Sequence, residues 1–115
     1  MATHFEARSP LGAILMEHSD AVLEIVAKRH GSNLRICGSV ACGEDTPSSD
    51  FDFLVEFDTP VTLFTESGLE RELEEELNVK VELSQPSELR AFVRAAALKD
   101  ALLVWAPKTS NGSMK

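Results

Sequence analysis

The stretch from Asp50 to Phe57 limits the fold more than any other part of this chain. Phe51, Phe53, Val55 and Phe57 fall on one side of a two-residue repeat, and Asp50, Asp52, Leu54 and Glu56 fall on the other. Aromatic and β-branched side chains in alternation suit a pleated surface with one face against a core, so the stretch reads as a strand with its phenylalanine face buried. Asp58-Thr59-Pro60 ends it. Val79, Val81 and Leu83 alternate with Lys80, Glu82 and Ser84 as a second strand, and Leu34 and Ile36 mark a third that runs into Gly38.

Between these strands the apolar spacing becomes helical. Ser9-Pro10 is a helix start, followed by Leu11, Ile14, Leu15 and His18 on one face. Ser19-Asp20 offers a second cap, with Val22, Ile25 and Val26 behind it and Gly31 closing the run. One long helix and two short ones fit equally. An acidic helix is expected over roughly Glu66 to Leu77, with Leu69, Leu73 and Leu77 inward and its charged remainder solvated. Ser87-Glu88 begins another through about Leu98, and Ala101 to Ala106 is an apolar turn, helix end or short strand. The polar, Pro- and Ser-rich stretch from Glu44 to Ser49 is a loop. Residues 1–107 are expected to form one domain, and residues 108–115 a flexible polar tail.

Size and charge narrow the function. At 115 residues, 43% of them hydrophobic, the chain can bury a core without disulfide staples. No apolar run approaches the ~20 residues of a membrane helix, and the N-terminus lacks the layout of a signal peptide, so a cytoplasmic protein is expected, with no membrane partner. A net charge of −8 argues against direct binding of nucleic acid, whose phosphates call for a basic surface. It leaves a nucleotide ligand open, because divalent cations bridge carboxylates to phosphates. Cys37 and Cys42 are too few for a zinc site, and His4, His18 and His30 have no ligand spacing, so both thiols read as reduced.

The chemistry gathers around two short motifs. Asp50 and Asp52, two apart on a strand, project from the same face and are placed to share divalent cations. Gly38-Ser39 follows a strand and opens a short helix ending near Gly43, where a glycine lets the backbone approach a phosphate. If the strand carrying Glu82 lies beside the one carrying Asp52, three carboxylates converge. Taken singly, an Asp-x-Asp is frequent on exposed strands, a Gly-Ser pair is less specific still, and Glu82 is an ordinary surface residue.

Their order is specific. The run from Gly38-Ser39-Val40-Ala41-Cys42-Gly43 to Ser49-Asp50-Phe51-Asp52 resembles the signature of minimal nucleotidyltransferases in the DNA polymerase β superfamily: Gly-Ser, a small spacer with Ala-Arg-Gly, then Ser-Asp-x-Asp. The resemblance extends to the N-terminal helices, Val55-Glu56-Phe57-Asp58, Leu73 to Leu77, and Lys80-Val81-Glu82-Leu83, which is similar to the strand bearing the family's third carboxylate. It implies an α/β (α+β) nucleotidyltransferase fold, a small mixed sheet flanked by helices. It also implies ATP as substrate and two Mg²⁺ ions on Asp50, Asp52 and Glu82, the catalytic carboxylates. Gly38, Ser39, Cys42 and Ser49 would then meet the nucleotide.

Two departures stand out. Cys42 replaces the family's usual arginine, removing a permanent charge with five donors, and Glu82 stands where aspartate is commoner. Short chains with this resemblance are frequently antitoxins of an all-helical HEPN-type ribonuclease, thought to silence it by attaching AMP. An acidic chain beside a basic partner suits that reading. The alternatives are a catalytically weak module that neutralises the same partner by contact, and transfer of a nucleotide to an antibiotic, for which the chain has no room for a drug-binding domain. Phe64 and Trp105 are interface candidates, with a core place favoured for Trp105.

Overall fold

The computed structural model describes residues 5–88 and 101–105. Along the chain run α1 (Pro10–Glu17), α2 (Ser19–Lys28), β1 (Gly31–Cys37), α3 (Gly38–Cys42), β2 (Phe51–Phe57), α4 (Leu63–Leu77), β3 (Val81–Ser84), a 3₁₀ turn (Pro86–Glu88) and β4 (Leu102–Leu103). The sheet is four-stranded and mixed, in the order β3-β2-β1-β4. β1 pairs antiparallel with β2 and with β4, while β2 and β3 run parallel. Parallel neighbours need a crossover, and α4 supplies it.

The N-terminal helices are two short ones. Ser9, extended at φ −158, accepts a 3.0 Å hydrogen bond from the Gly12 N–H, and Pro10 fills the first turn. The break falls at His18, which is the N-cap of α2 without a side-chain bond. Ser19 is therefore not the cap: its hydroxyl donates back to the Met16 carbonyl at 2.9 Å and is buried. Nor does Gly31 close the helix. The reversal is made one residue earlier by His30, left-handed at φ 66, so Gly31 is free to open β1.

β2 buries Phe51, Phe53 and Val55 completely or nearly so, leaves Phe57 half-buried, and stacks the Phe51 and Phe53 rings at 5.7 Å. Leu69, Leu73 and Leu77 of α4 and Val22 and Val26 of α2 close over them. Two expectations for this strand change. It begins at Phe51, so Asp50 stands just before it and is exposed. Leu54, on the opposite face, is buried as well, so that face is covered at its centre.

α4 begins at Leu63, three residues ahead of the expected Glu66, because Thr62 caps it by accepting from the Thr65 N–H at 3.2 Å. Its acidic face is not simply solvated. Glu72 pairs with Arg29 at 2.6 Å and Glu76 meets His18 at 2.7 Å. Glu70 and Glu74 each accept a 3.0 Å bond from a backbone N–H of β3, those of Leu83 and Val81. Those amides lie on the outer edge of the sheet, and the two carboxylates occupy the positions another strand would take.

β3 omits Val79 and starts at Val81. Of the region read as Ala101 to Ala106, the strand alternative holds, with Val104 N–H bonded to the Leu34 carbonyl at 2.9 Å. Trp105 is 37% exposed, its indole N–H donating to the Phe5 carbonyl at 2.9 Å, so it is a surface residue and not a core one; Phe64 is 88% exposed. Beyond Glu88, the helix expected to Leu98 lies outside the described residues, as does the expected tail. Among the described residues no helix is long and apolar enough to cross a membrane.

Candidate active site

Asp52 occupies the second position of β2 and has a partner on each side. Cys37, the last residue of β1, is its register partner in the antiparallel pair, and Glu82 is its partner in the parallel pair. The three side chains thus share one face of the sheet in a row across three strands. Asp52 and Glu82 lie close enough for each carboxyl to act on the other. The Asp52 carboxyl is pushed up from 3.8 to about 6, first by burial, then by its neighbour Glu82 and by the Asp50 charge.

The chain leaves β1 through Gly38, whose φ of 76 only glycine adopts readily. A Cβ there would lie 2.6 Å from Asp52 Oδ2, so the backbone passes directly over the carboxylate. α3 follows, and its Ser39 hydroxyl donates to Ser49 Oγ at 3.3 Å. Ser49 Oγ also accepts from the Thr46 N–H at 2.8 Å, which folds the 44–49 loop back over the start of α3. Asp45 fastens the same loop to α1, accepting from the Leu11 N–H at 3.3 Å. Cys42, at the end of α3, is exposed, and its thiol makes no hydrogen bond among the described residues.

Of the expected site residues, the fold therefore brings Gly38, Asp52 and Glu82 into contact and ties Ser39 to Ser49. Asp50 stays outside the strand and reaches Asp52 through its charge. Among the described residues no three His, Cys, Asp or Glu side chains are gathered closely enough to enclose a metal ion. Closely set carboxylate oxygens are nonetheless the hard donors that suit magnesium.

Cys37 belongs to this row although sequence reading assigns it no role. Its thiol donates to the Asp52 carbonyl at 3.3 Å and is raised from 9.0 to about 11 by burial, then by the charges of Asp52 and Glu82. A thiol so raised is protonated and unreactive, which makes it a spacer against the carboxylates and not a nucleophile. Its one signal in the sequence is its place at the strand end, directly before Gly38.

Comparison with known proteins establishes the family and the fold. The nucleotidyltransferase domain family matches residues 16–104, and the chain belongs to it. It is similar to a solved structure assigned as a minimal nucleotidyltransferase, at 33% identity and TM-score 0.72, covering 78% of this chain and 92% of that one. The fold is shared with a toxin-antitoxin structure containing AMP-PNP, at 14% identity and TM-score 0.68 over 76% of this chain and 73% of that one. It is shared too with a tri-AMPylated Shewanella oneidensis HEPN toxin in complex with its MNT antitoxin, at 12% identity and TM-score 0.62 over 78% of this chain and 71% of that one. No curated protein matches the chain significantly.

Proposed function

We propose that this nucleotidyltransferase domain moves AMP from ATP onto a protein, a helical HEPN-type ribonuclease that it silences as a cytoplasmic antitoxin. The observation that carries the reading is the Asp52–Glu82 pair in register, held under Gly38 and starved of a positive charge. Asp52, Glu82 and the neighbouring Asp50 are the residues to hold magnesium. Bound there, the metal neutralises the triphosphate and stabilises the departing pyrophosphate.

The chain's own groups do the rest. Gly38 leaves room for the nucleotide against the carboxylates, and the Ser39 and Ser49 hydroxyls turn from each other to phosphate oxygens. The acceptor hydroxyl forms its bond to the α-phosphorus as the bond to the β-phosphate oxygen breaks, and Glu82 takes the hydroxyl proton. Solved complexes of similar fold, one with a nucleotide analogue and one with an AMP-bearing toxin, support both the substrate and the acceptor.

Cys42 and the outlying Asp50 favour a second reading, in which the domain restrains the same partner by contact alone. Intact mass separates the two. The domain is incubated with a purified HEPN-type ribonuclease, Mg²⁺ and ATP. One or more AMP units on the partner, absent with Asp52→Asn, establish transfer; an unmodified but fully inhibited partner establishes contact.

A further inference from the structure

Cys42 leaves the site one cation short of the pattern it resembles, and the fold brings another cation to the adjoining residue. Arg8 precedes α1, and its stem runs over Gly43, the left-handed residue at φ 74 that closes α3. A Cβ on Gly43 would lie 2.9 Å from Arg8 Cβ, 3.5 Å from Arg8 Cδ and 3.7 Å from the Arg8 carbonyl oxygen. Any side chain there would push Arg8 away. The segment is also held from its other end, where Asp45 takes the Leu11 N–H at 3.3 Å. Arg8 is thus fixed against the end of α3 by its stem, beside the position where the charge is missing.

Its charge is also available. Arg29 and Arg35 are engaged by Glu72 at 2.6 Å and by Glu56 at 3.0 Å, whereas Arg8 is exposed and makes no ion pair among the described residues, in a chain of net charge −8. The Glu44 N–H bonds the Ser39 carbonyl at 2.8 Å, so the residue after Gly43 is tied to the start of α3 and to the Ser39–Ser49 pair. Gly38 abuts Asp52 at one end of this short helix, and Arg8 stands at the other. A triphosphate lying along α3 from the carboxylates would carry its terminal phosphates to Arg8.

We propose that Arg8 is the triphosphate-binding cation of this site, its guanidinium meeting the β- and γ-phosphates in place of the arginine that Cys42 replaces. The proposal rests on the nucleotide reading above. A guanidinium binds phosphate oxygens through two parallel N–H donors, a geometry that neither a thiol nor a serine hydroxyl reproduces.

Calorimetric titration of the full chain with Mg-ATP and Mg-AMP tests it. Arg8→Met keeps the stem over Gly43 and removes the charge. It should weaken Mg-ATP binding about tenfold, as loss of one charge-assisted contact does, while Mg-AMP changes less than about twofold. Adding Cys42→Arg to Arg8→Met should recover most of the loss, and the thermal midpoint without ligand should not move. Unchanged Mg-ATP affinity in Arg8→Met, or equal losses for ATP and AMP, overturns the role of Arg8 while leaving the nucleotide reading intact. Failure of the unmutated chain to bind Mg-ATP overturns both.

Discussion

Asp52 and Glu82 face one another across the parallel pair of β2 and β3, in direct register. Parallel pairing brings residues of like position on two strands together, so a carboxylate near the start of each strand meets the other on one face. The price is an Asp52 carboxyl raised from 3.8 to about 6, first by burial and then by its carboxylate neighbours Glu82 and Asp50.

That shift sets a pH dependence for the metal-free protein. The folded state holds the Asp52 proton more tightly than the unfolded chain, so the contribution to stability is full below about pH 3.8 and is lost as pH rises through about 6. Glu56, lowered first by its bond from Arg35, acts in the opposite sense, with a contribution lost as pH falls. Subtracting the melting curve of Asp52→Asn isolates the Asp52 part. The mutant should melt at the same temperature as the parent or above it at pH 7, its advantage shrinking toward pH 4. It should also lack the rise that Mg-ATP gives the parent. A parent that gains stability relative to Asp52→Asn between pH 4 and pH 7 would show the pair to be attractive.

In the core, Phe53→Ala should cost about 3 to 5 kcal/mol in chemical denaturation, because it empties a position that is 1% exposed between β2 and α4. Phe57→Ala, half-buried at the strand's end, should cost less than half as much. Equal costs would mean that the strand's buried face is centred elsewhere.

What was legible here, and what was not, follows from the range of the forces involved. The alternation of Phe51, Phe53 and Val55 is a local pattern, and it fixed the strand and its inner face. The same alternation gives Leu54 its face but not its burial, because period two distinguishes faces but does not say whether the outer one is covered. Spacing alone puts Asp50 in the strand, but pairing sets where a strand begins, and the first backbone tie to β3 is the Phe51 N–H to the Lys80 carbonyl at 2.9 Å. Glu82 could be placed beside Asp52 only on condition that their strands were neighbours, a tertiary fact. Nothing in the residue order marks Arg8 or Asp45, whose contacts with Gly43 and Leu11 join segments far apart in the chain.

The glutamates of α4 carry a prediction of their own. Glu74 and Glu70 cover the outward amides of Val81 and Leu83 on an edge strand. Replacing both with alanine should destabilise the domain by about 1 to 3 kcal/mol, since partly buried donors lose charged acceptors. It should also free the edge for pairing with a second copy. Size-exclusion chromatography should then show dimers or larger species absent from the parent; a monomeric double mutant would show that the edge is protected by something else.

Gly38 offers the sharpest test of the site's construction. Gly38→Ala meets two separate obstacles: a left-handed backbone, which costs an alanine about 1 kcal/mol or more, and a Cβ placed 2.6 Å from Asp52 Oδ2. The first is local to residue 38 and the second exists only while Asp52 is present. A double-mutant cycle separates them. Gly38→Ala alone should lower stability and abolish Mg-ATP binding by driving the Asp52 carboxylate from Glu82. In an Asp52→Ala background, where the obstructing oxygens are gone, the same glycine change should cost only the backbone part, leaving a coupling of about 1 kcal/mol or more in denaturant midpoints. Strictly additive costs would mean that Asp52 swings aside freely, and that Gly38 is kept for its backbone conformation and not for its approach to the carboxylate.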